Sequence, residues 1–127
     1  MKILLDTHVL LWLLLEDGRL GTRQFGILEE ARNEIFLSAV SGFEISTKVR
    51  IGKLPQKLRE INLAELCKEF DYNELPISLR HGVRGGQLHG EHRDPFDRLL
   101  AAQSLIENMP LMTNDSALSK LGVEVIW

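Results

Sequence analysis

The chain has 127 residues, a formal net charge of −3, an apolar share of 44% and a charged share of 26%. This composition is typical of a soluble globular protein and excludes a disordered or low-complexity chain, while the length fits a single domain over residues 1–127. The acidic balance argues against a general nucleic-acid clamp, which is normally basic, but it does not exclude an enzyme that acts on nucleic acid. The lone Cys67 excludes an internal disulfide and favours a reducing compartment.

The amino terminus partly resembles a signal peptide, because Lys2 precedes a leucine-rich stretch that ends near Leu15. Asp6, Thr7 and His8 interrupt this stretch, and no small-x-small cleavage site follows it. The sequence therefore predicts neither export nor a membrane span, and we expect a cytoplasmic protein.

Strands and helices are predicted to alternate along the chain. Short apolar runs predict five strands, at Lys2–Leu5, Glu34–Ser38, Leu75–Ile77, Pro110–Thr113 and Val123–Ile126. Helical spacing predicts helices at about Thr7–Leu15, Phe25–Ala31, Ser41–Ile51, Asn62–Tyr72, Pro95–Ile106 and Ser116–Leu121. The stretch His81–Gly90, with its four glycines, is predicted to be the least regular. This alternation implies an α/β fold, with helices on both faces of a five-stranded parallel sheet.

Acidic residues stand where predicted strands end or predicted helices begin. Asp6, Glu44, Asp97 and Asp115 all occupy such junctions, and Asp94 lies close to Asp97. The carboxyl ends of parallel strands open toward one crevice, so these acids can converge. Crowded carboxylates repel one another unless a cation compensates them, and oxygen ligands suit Mg²⁺ or Mn²⁺.

Each acid taken alone also fits an ordinary role as a helix cap. Ser41-x-x-Glu44 has the pattern of a capping box, and Asp94 precedes a proline as an N-cap does. The other three acids also stand at positions where a helix start favours an anion. Only their common placement at one sheet edge favours a functional interpretation.

Several other residues leave alternatives open. Ser46 to Arg59 contains five cations and no acid, which is compatible with a solvated helix face or with phosphate contact. His81, His89 and His92 suggest a rival zinc site, but no cysteine pair or HExxH helix accompanies them. His92 fits better as a positioning residue. His8 is expected to be an interior or interface histidine, and Trp12 to belong to the core or a dimer interface.

Together the motifs resemble the PIN-domain family, specifically the VapC-type toxins of bacterial toxin-antitoxin systems. The similarity covers essentially the whole chain. It rests on Leu5-Asp6-Thr7-His8, on Ser38 to Ile45 with Lys48, on Gly52-Lys53-Leu54, on His92 to Gln103 and on Thr113-Asn114-Asp115. The stretch from His92, with the sequence HRDPFDRLLAAQ, is the most specific of these. Phe43 stands where related sequences often have Trp.

The resemblance implies a PIN-like three-layer α/β/α fold and a metal-dependent endoribonuclease, usually dimeric and inhibited by a separately encoded antitoxin. It places the catalytic, Mg²⁺- or Mn²⁺-binding acids at Asp6, Glu44, Asp97 and Asp115, with Asp94 as an additional metal ligand. The expected supporting residues are Thr7, Thr113, Asn114 and His92. The expected RNA contacts are Lys48, Arg50, Lys53, Arg93 and Arg98.

Three other classes of protein share part of this pattern. A haloacid-dehalogenase-like phosphatase also begins with a strand followed by Asp, but it needs a second Asp two residues later, where this chain has His8. A non-catalytic interaction module would keep the acids only as caps. A structure-selective DNase is the nearest alternative, because a carboxylate cluster does not by itself distinguish RNA from DNA.

Overall fold

The computed structural model describes all residues from 1 to 127. Five strands form the sheet, namely β1 (Lys2–Leu5), β2 (Glu34–Ser38), β3 (Asn73–Leu75), β4 (Leu111–Met112) and β5 (Val125–Ile126). Seven α-helices accompany them: α1 (Thr7–Leu15), α2 (Thr22–Glu29), α3 (Ala39–Arg50), α4 (Leu63–Phe70), α5 (Leu79–Gln87), α6 (Pro95–Glu107) and α7 (Ser116–Ser119). A 3₁₀ helix covers Gln56–Glu60.

All the strands are parallel, in the order β3-β2-β1-β4-β5. Alternate side chains of the central strand β1 enter two separate hydrophobic cores, with Ile3 and Leu5 in one and Leu4 in the other. The first core is built with α1 to α4, and the second with α6 and α7. Burial on both faces explains the continuous apolar run of this strand and confirms the predicted three-layer α/β fold.

Two predictions in the middle of the chain were wrong. The third strand is Asn73–Leu75 rather than Leu75–Ile77, so Pro76 follows the strand instead of starting it. The stretch predicted to be least regular forms α5 up to Gln87. Ser78 caps this helix by accepting from the His81 backbone N–H, while the His81 ring accepts from the Ser78 N–H. A histidine thus takes the place usually held by Glu or Gln in a capping box.

A glycine of α5 explains why its composition misled the prediction. A Cβ added at Gly85 would lie 3.3 Å from the Arg98 carbonyl oxygen of α6. This glycine therefore allows the two helices to approach closely, which is a tertiary requirement that local helix propensity does not contain.

The start of α3 also differs from the prediction. The helix begins at Ala39, and the hydroxyl of Ser38 accepts a hydrogen bond from the Val40 N–H. Ser41 and Glu44 therefore lie within the helix and do not form the expected capping box. Cys67 is buried in the first core, as expected. No helix of this chain has the length and apolar character needed to cross a membrane.

Candidate active site

The order of the strands brings the predicted acids to one edge of the sheet. Asp6 directly follows β1, and its backbone N–H donates to the Met112 carbonyl of β4 at 3.1 Å. Glu44 lies on α3, which follows the neighbouring strand β2. Asp94 and Asp97 stand at the start of α6, whose later residues pack in the core beside β1 and β4.

Asp6 is the most deeply buried of these acids, with 1% of its surface exposed. Although Asp6 occupies the N-cap position of α1, its side chain makes no capping hydrogen bond. Oδ2 accepts from the Thr113 hydroxyl at 2.8 Å, and Oδ1 is buried without a hydrogen-bond partner. An orphaned carboxylate oxygen is costly, and a bound cation would satisfy it.

Thr113 connects Asp6 to Asp115. Its hydroxyl oxygen also accepts from the Asp115 backbone N–H at 3.0 Å. The Asp115 carboxylate itself accepts from the Ala117 N–H at 2.9 Å and caps α7. The expected supporting role of Thr113 thus has a clear geometric basis, while Asp115 joins the other acids only through this hydroxyl. Asn114 is exposed beside it.

Glu44 is buried and paired with a lysine one helical turn later. The Lys48 ammonium lies 2.5 Å from Oε2 of Glu44. This hydrogen bond raises the pKa of Lys48, and the charges of Glu44, Asp94 and Asp97 raise it further. Lys48 therefore acts as a fixed counter-ion for three of the predicted acids.

Asp97 is half-buried and contacts His92. Nε2 of His92 lies 2.8 Å from Oδ2 of Asp97, a geometry in which the imidazole donates to the carboxylate. Burial raises the pKa of Asp97 above its ordinary value, and the charges of Asp94 and Asp6 raise it further, against the lowering effect of His92. Asp94 accepts from the Phe96 and Asp97 N–H groups, which confirms its predicted N-cap role.

His8 was expected to be an interior or interface histidine, and of these two positions the interior one was wrong. Its side chain is 55% exposed, with Nδ1 3.8 Å from Oδ2 of Asp6. The contact with Asp6 raises the pKa of His8, as do the charges of Asp6, Glu44 and Asp97. The expectation had rested on the apolar character of α1, but residue 8 points away from the face that packs on the sheet.

A hydrogen bond between the hydroxyls of Thr7 and Ser41 connects α1 to α3. Their hydroxyl oxygens lie 2.8 Å apart, and both side chains are buried. The bond links the first turn of α1, beside Asp6, to the turn of α3 that carries Glu44. Thr7 was expected to support the site, whereas Ser41 had been considered only as a cap.

The predicted RNA-contacting cations fall into different environments. Arg98 donates to the backbone carbonyls of Gly85 at 2.9 Å and His92 at 2.8 Å, and to that of Leu88. This guanidinium fastens α5 and the following loop to α6, which is a structural role rather than the expected phosphate contact. Arg50, Lys53 and Arg93 are exposed, whereas Lys48 is partly buried on Glu44.

A large surface groove lies apart from the acidic cluster. Its volume is about 770 Å³, and none of the predicted acids lines it. It lies between α3, the 3₁₀ helix and the ends of α1 and α4, where Leu14, Ile45, Leu58 and Leu63 form apolar walls. Arg50 and Arg59 contribute positive charge to this groove.

The histidines do not gather into a rival zinc site. His81 is buried, with Nε2 2.9 Å from Oε1 of Glu107 on α6. His92 instead contacts Asp97, and His89 is exposed. His81 thus has a packing role between α5 and α6.

The donor set fits a hard divalent cation, although the carboxylates are turned toward basic side chains. No group of three His, Cys, Asp or Glu side chains is arranged to hold a metal ion in this conformation. The Lys48 ammonium contacts the Glu44 carboxylate, and the His92 ring contacts the Asp97 carboxylate. The unpartnered carboxylate oxygen Oδ1 of Asp6 is nevertheless the type of ligand that Mg²⁺ and Mn²⁺ prefer.

The sequence matches the family model described as "PIN domain" over residues 3–124. No curated protein sequence matches the chain. Among solved structures, a chain of the DNA-bound VapBC2 complex of Rickettsia felis has a TM-score of 0.77 at 18% identity, with 99% of this chain and 98% of that chain covered. A chain of the FitAcB complex of Neisseria gonorrhoeae has a TM-score of 0.71 at 23% identity, with 98% and 96% covered.

A chain of the DNA-bound VapBC complex of Salmonella typhimurium is also similar, with a TM-score of 0.69 at 17% identity, covering 99% of this chain and 97% of that chain. At these identities the structural likeness establishes the fold alone. The family model spans nearly the whole sequence, from β1 to the residue before β5. Its match agrees with the parallel sheet and with the acids gathered at one sheet edge, and the chain therefore belongs to the PIN-domain family.

Proposed function

We propose that this protein is a metal-dependent endoribonuclease and the toxin of a type II toxin-antitoxin system, acting in the cytoplasm. The observation that carries the proposal is the buried Oδ1 atom of Asp6, which has no hydrogen-bond partner. The charge of Asp6 also raises the pKa of Asp97, another acid of the cluster. A non-catalytic module that kept its acids as caps would give no reason for such an atom, because Asp6 makes no capping bond. Similarity to chains from VapBC complexes supports the toxin role.

Asp6, Glu44, Asp97 and Asp115 would hold Mg²⁺ or Mn²⁺, with Asp94 as an additional ligand. Bound there, the cation supplies activation of water and charge neutralisation for phosphodiester hydrolysis. Asp6 is fixed for this task by the Thr113 hydroxyl and by its own backbone bond to β4. In this structure Lys48 contacts Glu44 and His92 contacts Asp97, so a bound cation would compete with both contacts.

The basic side chains near the acids serve to bind the substrate. Lys48 and Arg93, with Arg50 and Lys53 further along, provide positive charge that attracts the RNA backbone. Neutralising them should weaken RNA binding and reduce its dependence on salt, without abolishing metal binding. Arg98 is left out of this set because its guanidinium is already held by three carbonyls.

We also propose a homodimer and an antitoxin partner, as the family resemblance implies. The antitoxin would place a basic side chain against the acidic cluster and compete with metal there. Sedimentation as a monomer at micromolar concentration would contradict the dimer. Rescue of growth by co-expression without formation of a complex would contradict the direct mode of inhibition.

End-labelled RNA tests the reaction. We expect cleavage with Mn²⁺ or Mg²⁺, loss of cleavage in excess EDTA, and products with 5′-phosphate and 3′-hydroxyl ends. A 2′,3′-cyclic phosphate, or full activity in EDTA, would show that the 2′-hydroxyl attacks instead of water. Equal cleavage of matched DNA and RNA would favour the structure-selective nuclease, because the carboxylates themselves do not select the sugar.

A further inference from the structure

Phe43 is an exposed aromatic residue that directly precedes Glu44 on α3. It is 63% exposed, more than any other Phe, Tyr or Trp of the chain. Its ring centroid lies 5.9 Å from that of Phe96, with the ring planes at 50°. Phe25 and Phe70, the next most exposed phenylalanines, lie elsewhere on the molecule, near Trp12 and Tyr72 respectively.

The position of this aromatic pair follows from the two helices that carry the acids. Phe43 directly precedes Glu44 on α3, and Phe96 directly precedes Asp97 on α6. The ring contact therefore joins the two helices at residues that are sequence neighbours of Glu44 and Asp97. Lys48 lies further along α3, where it contacts Glu44. The two helices thus carry an exposed ring, a cation and two of the predicted acids.

Packing does not account for Phe43. Phe96 packs against the second hydrophobic core, whereas Phe43 is largely exposed and belongs to neither core. A single exposed apolar residue is ordinary on a protein surface. Here, however, the exposed ring is supported by a second ring, and the two helices that carry these rings also carry Glu44 and Asp97.

We propose that Phe43 is a stacking platform for one unpaired base of the RNA substrate, next to the phosphate that is cut. This inference rests on the proposed nuclease function and specifies its substrate as single-stranded RNA. Every base has a π-face, so stacking selects an unpaired base without reading its identity. Loss of one such stack should weaken binding by about 5- to 150-fold, since base-aromatic stacking usually contributes about 1–3 kcal/mol.

Substitution at Phe43, with Phe70 as a matched control, tests the inference. Binding of a fluorescently labelled single-stranded oligoribonucleotide is measured by anisotropy in Ca²⁺, and cleavage is measured separately in Mn²⁺. Phe43→Leu should bind the oligonucleotide more weakly, by the factor expected for the loss of one stack. It should melt like the wild type, because Phe43 belongs to neither core. Phe70→Leu should bind like the wild type. Phe43→Trp should retain affinity, and its added indole emission should be quenched by the oligonucleotide, unlike that of Phe70→Trp.

An abasic scan of the oligonucleotide provides the most direct test of the contact. One abasic position beside the cleavage site should weaken wild-type binding, and combining it with Phe43→Leu should produce no further loss. Additive losses at every position would overturn the inference. Unchanged RNA binding by Phe43→Leu would also overturn it. If the wild type is a dimer and Phe43→Leu is a monomer, the ring contacts a second copy of the chain and the inference is wrong. If the wild type fails to cleave RNA in Mn²⁺, it is the nuclease proposal that fails.

Discussion

Replacing Asp6 by asparagine should stabilise the metal-free protein and remove most of its response to Mn²⁺. The side chain is almost fully buried, one carboxylate oxygen has no partner, and its charge raises the pKa of Asp97. A buried polar atom without a hydrogen bond costs roughly 1–3 kcal/mol. Because the new amide also needs partners, we take the lower end, about 1 kcal/mol, which corresponds to about 4 °C for a domain of this size.

Added Mn²⁺ should stabilise the wild type more than it stabilises Asp6→Asn. A cation present at one hundred times its dissociation constant stabilises the folded state by about 2.7 kcal/mol, or roughly 10 °C here. The wild type should therefore overtake Asp6→Asn when Mn²⁺ is added, because the amide lacks the negative charge that a hard cation requires. The two melting curves should change order between EDTA and Mn²⁺.

Scanning calorimetry of the dialysed proteins, with and without Mn²⁺, measures both effects. Glu69→Gln changes an exposed carboxylate of α4 and serves as the control, with wild-type behaviour expected in both conditions. If Asp6→Asn melts below the wild type in EDTA and gains as much from Mn²⁺, then Asp6 is a structural residue and the reasoning fails.

Two further predictions concern Asp97 and the arginines. Because the pKa of Asp97 is raised in the metal-free fold, protonated Asp97 stabilises this fold at low pH, and that stability is lost as pH rises through the pKa. Asp97→Asn should remove this pH dependence from the free energy of unfolding. For the same reason, Mn²⁺ affinity measured by calorimetry should begin to fall on acidification at a higher pH than it would if Asp97 had an ordinary aspartate pKa. Arg98→Ala should lower the free energy of unfolding in urea by on the order of 3 kcal/mol, since it loses three hydrogen bonds from a charged donor. Arg93→Ala should leave unfolding within about 0.5 kcal/mol of wild type and weaken RNA binding instead; the reverse result would restore Arg98 as an RNA contact.

The parallel sheet and most helices could be predicted because their signals are local. Short apolar runs bounded by turns located every strand except the third, and Asp94 before Pro95 located the start of α6 to the residue. The irregular prediction for α5 failed because composition does not show that Gly85 is needed for contact with α6. The error at α3 had a similar origin, since both Ser38 and Ser41 are possible caps and only the tertiary bond to Thr7 distinguishes them.

The acids of the site were predictable because parallel strands bring their carboxyl ends to one edge. Their partners were not, since each depends on side-chain direction. The sequence gives no sign that Arg98 turns inward to backbone carbonyls or that His8 turns outward to Asp6. Nor does it show that Phe43 is left outside both cores while its neighbour Phe96 is packed.

The most direct test of the account compares RNA cleavage by four isosteric variants, Asp6→Asn, Glu44→Gln, Asp97→Asn and Asp115→Asn, in Mn²⁺, with thermal melting measured in parallel. Asparagine caps a helix about as well as aspartate, so stability lost through capping should be small. Each variant should lose most of its cleavage and toxicity while melting near or above the metal-free wild type. If the variants melt lower and cleave at the wild-type rate, the acids are only structural and the nuclease proposal is wrong.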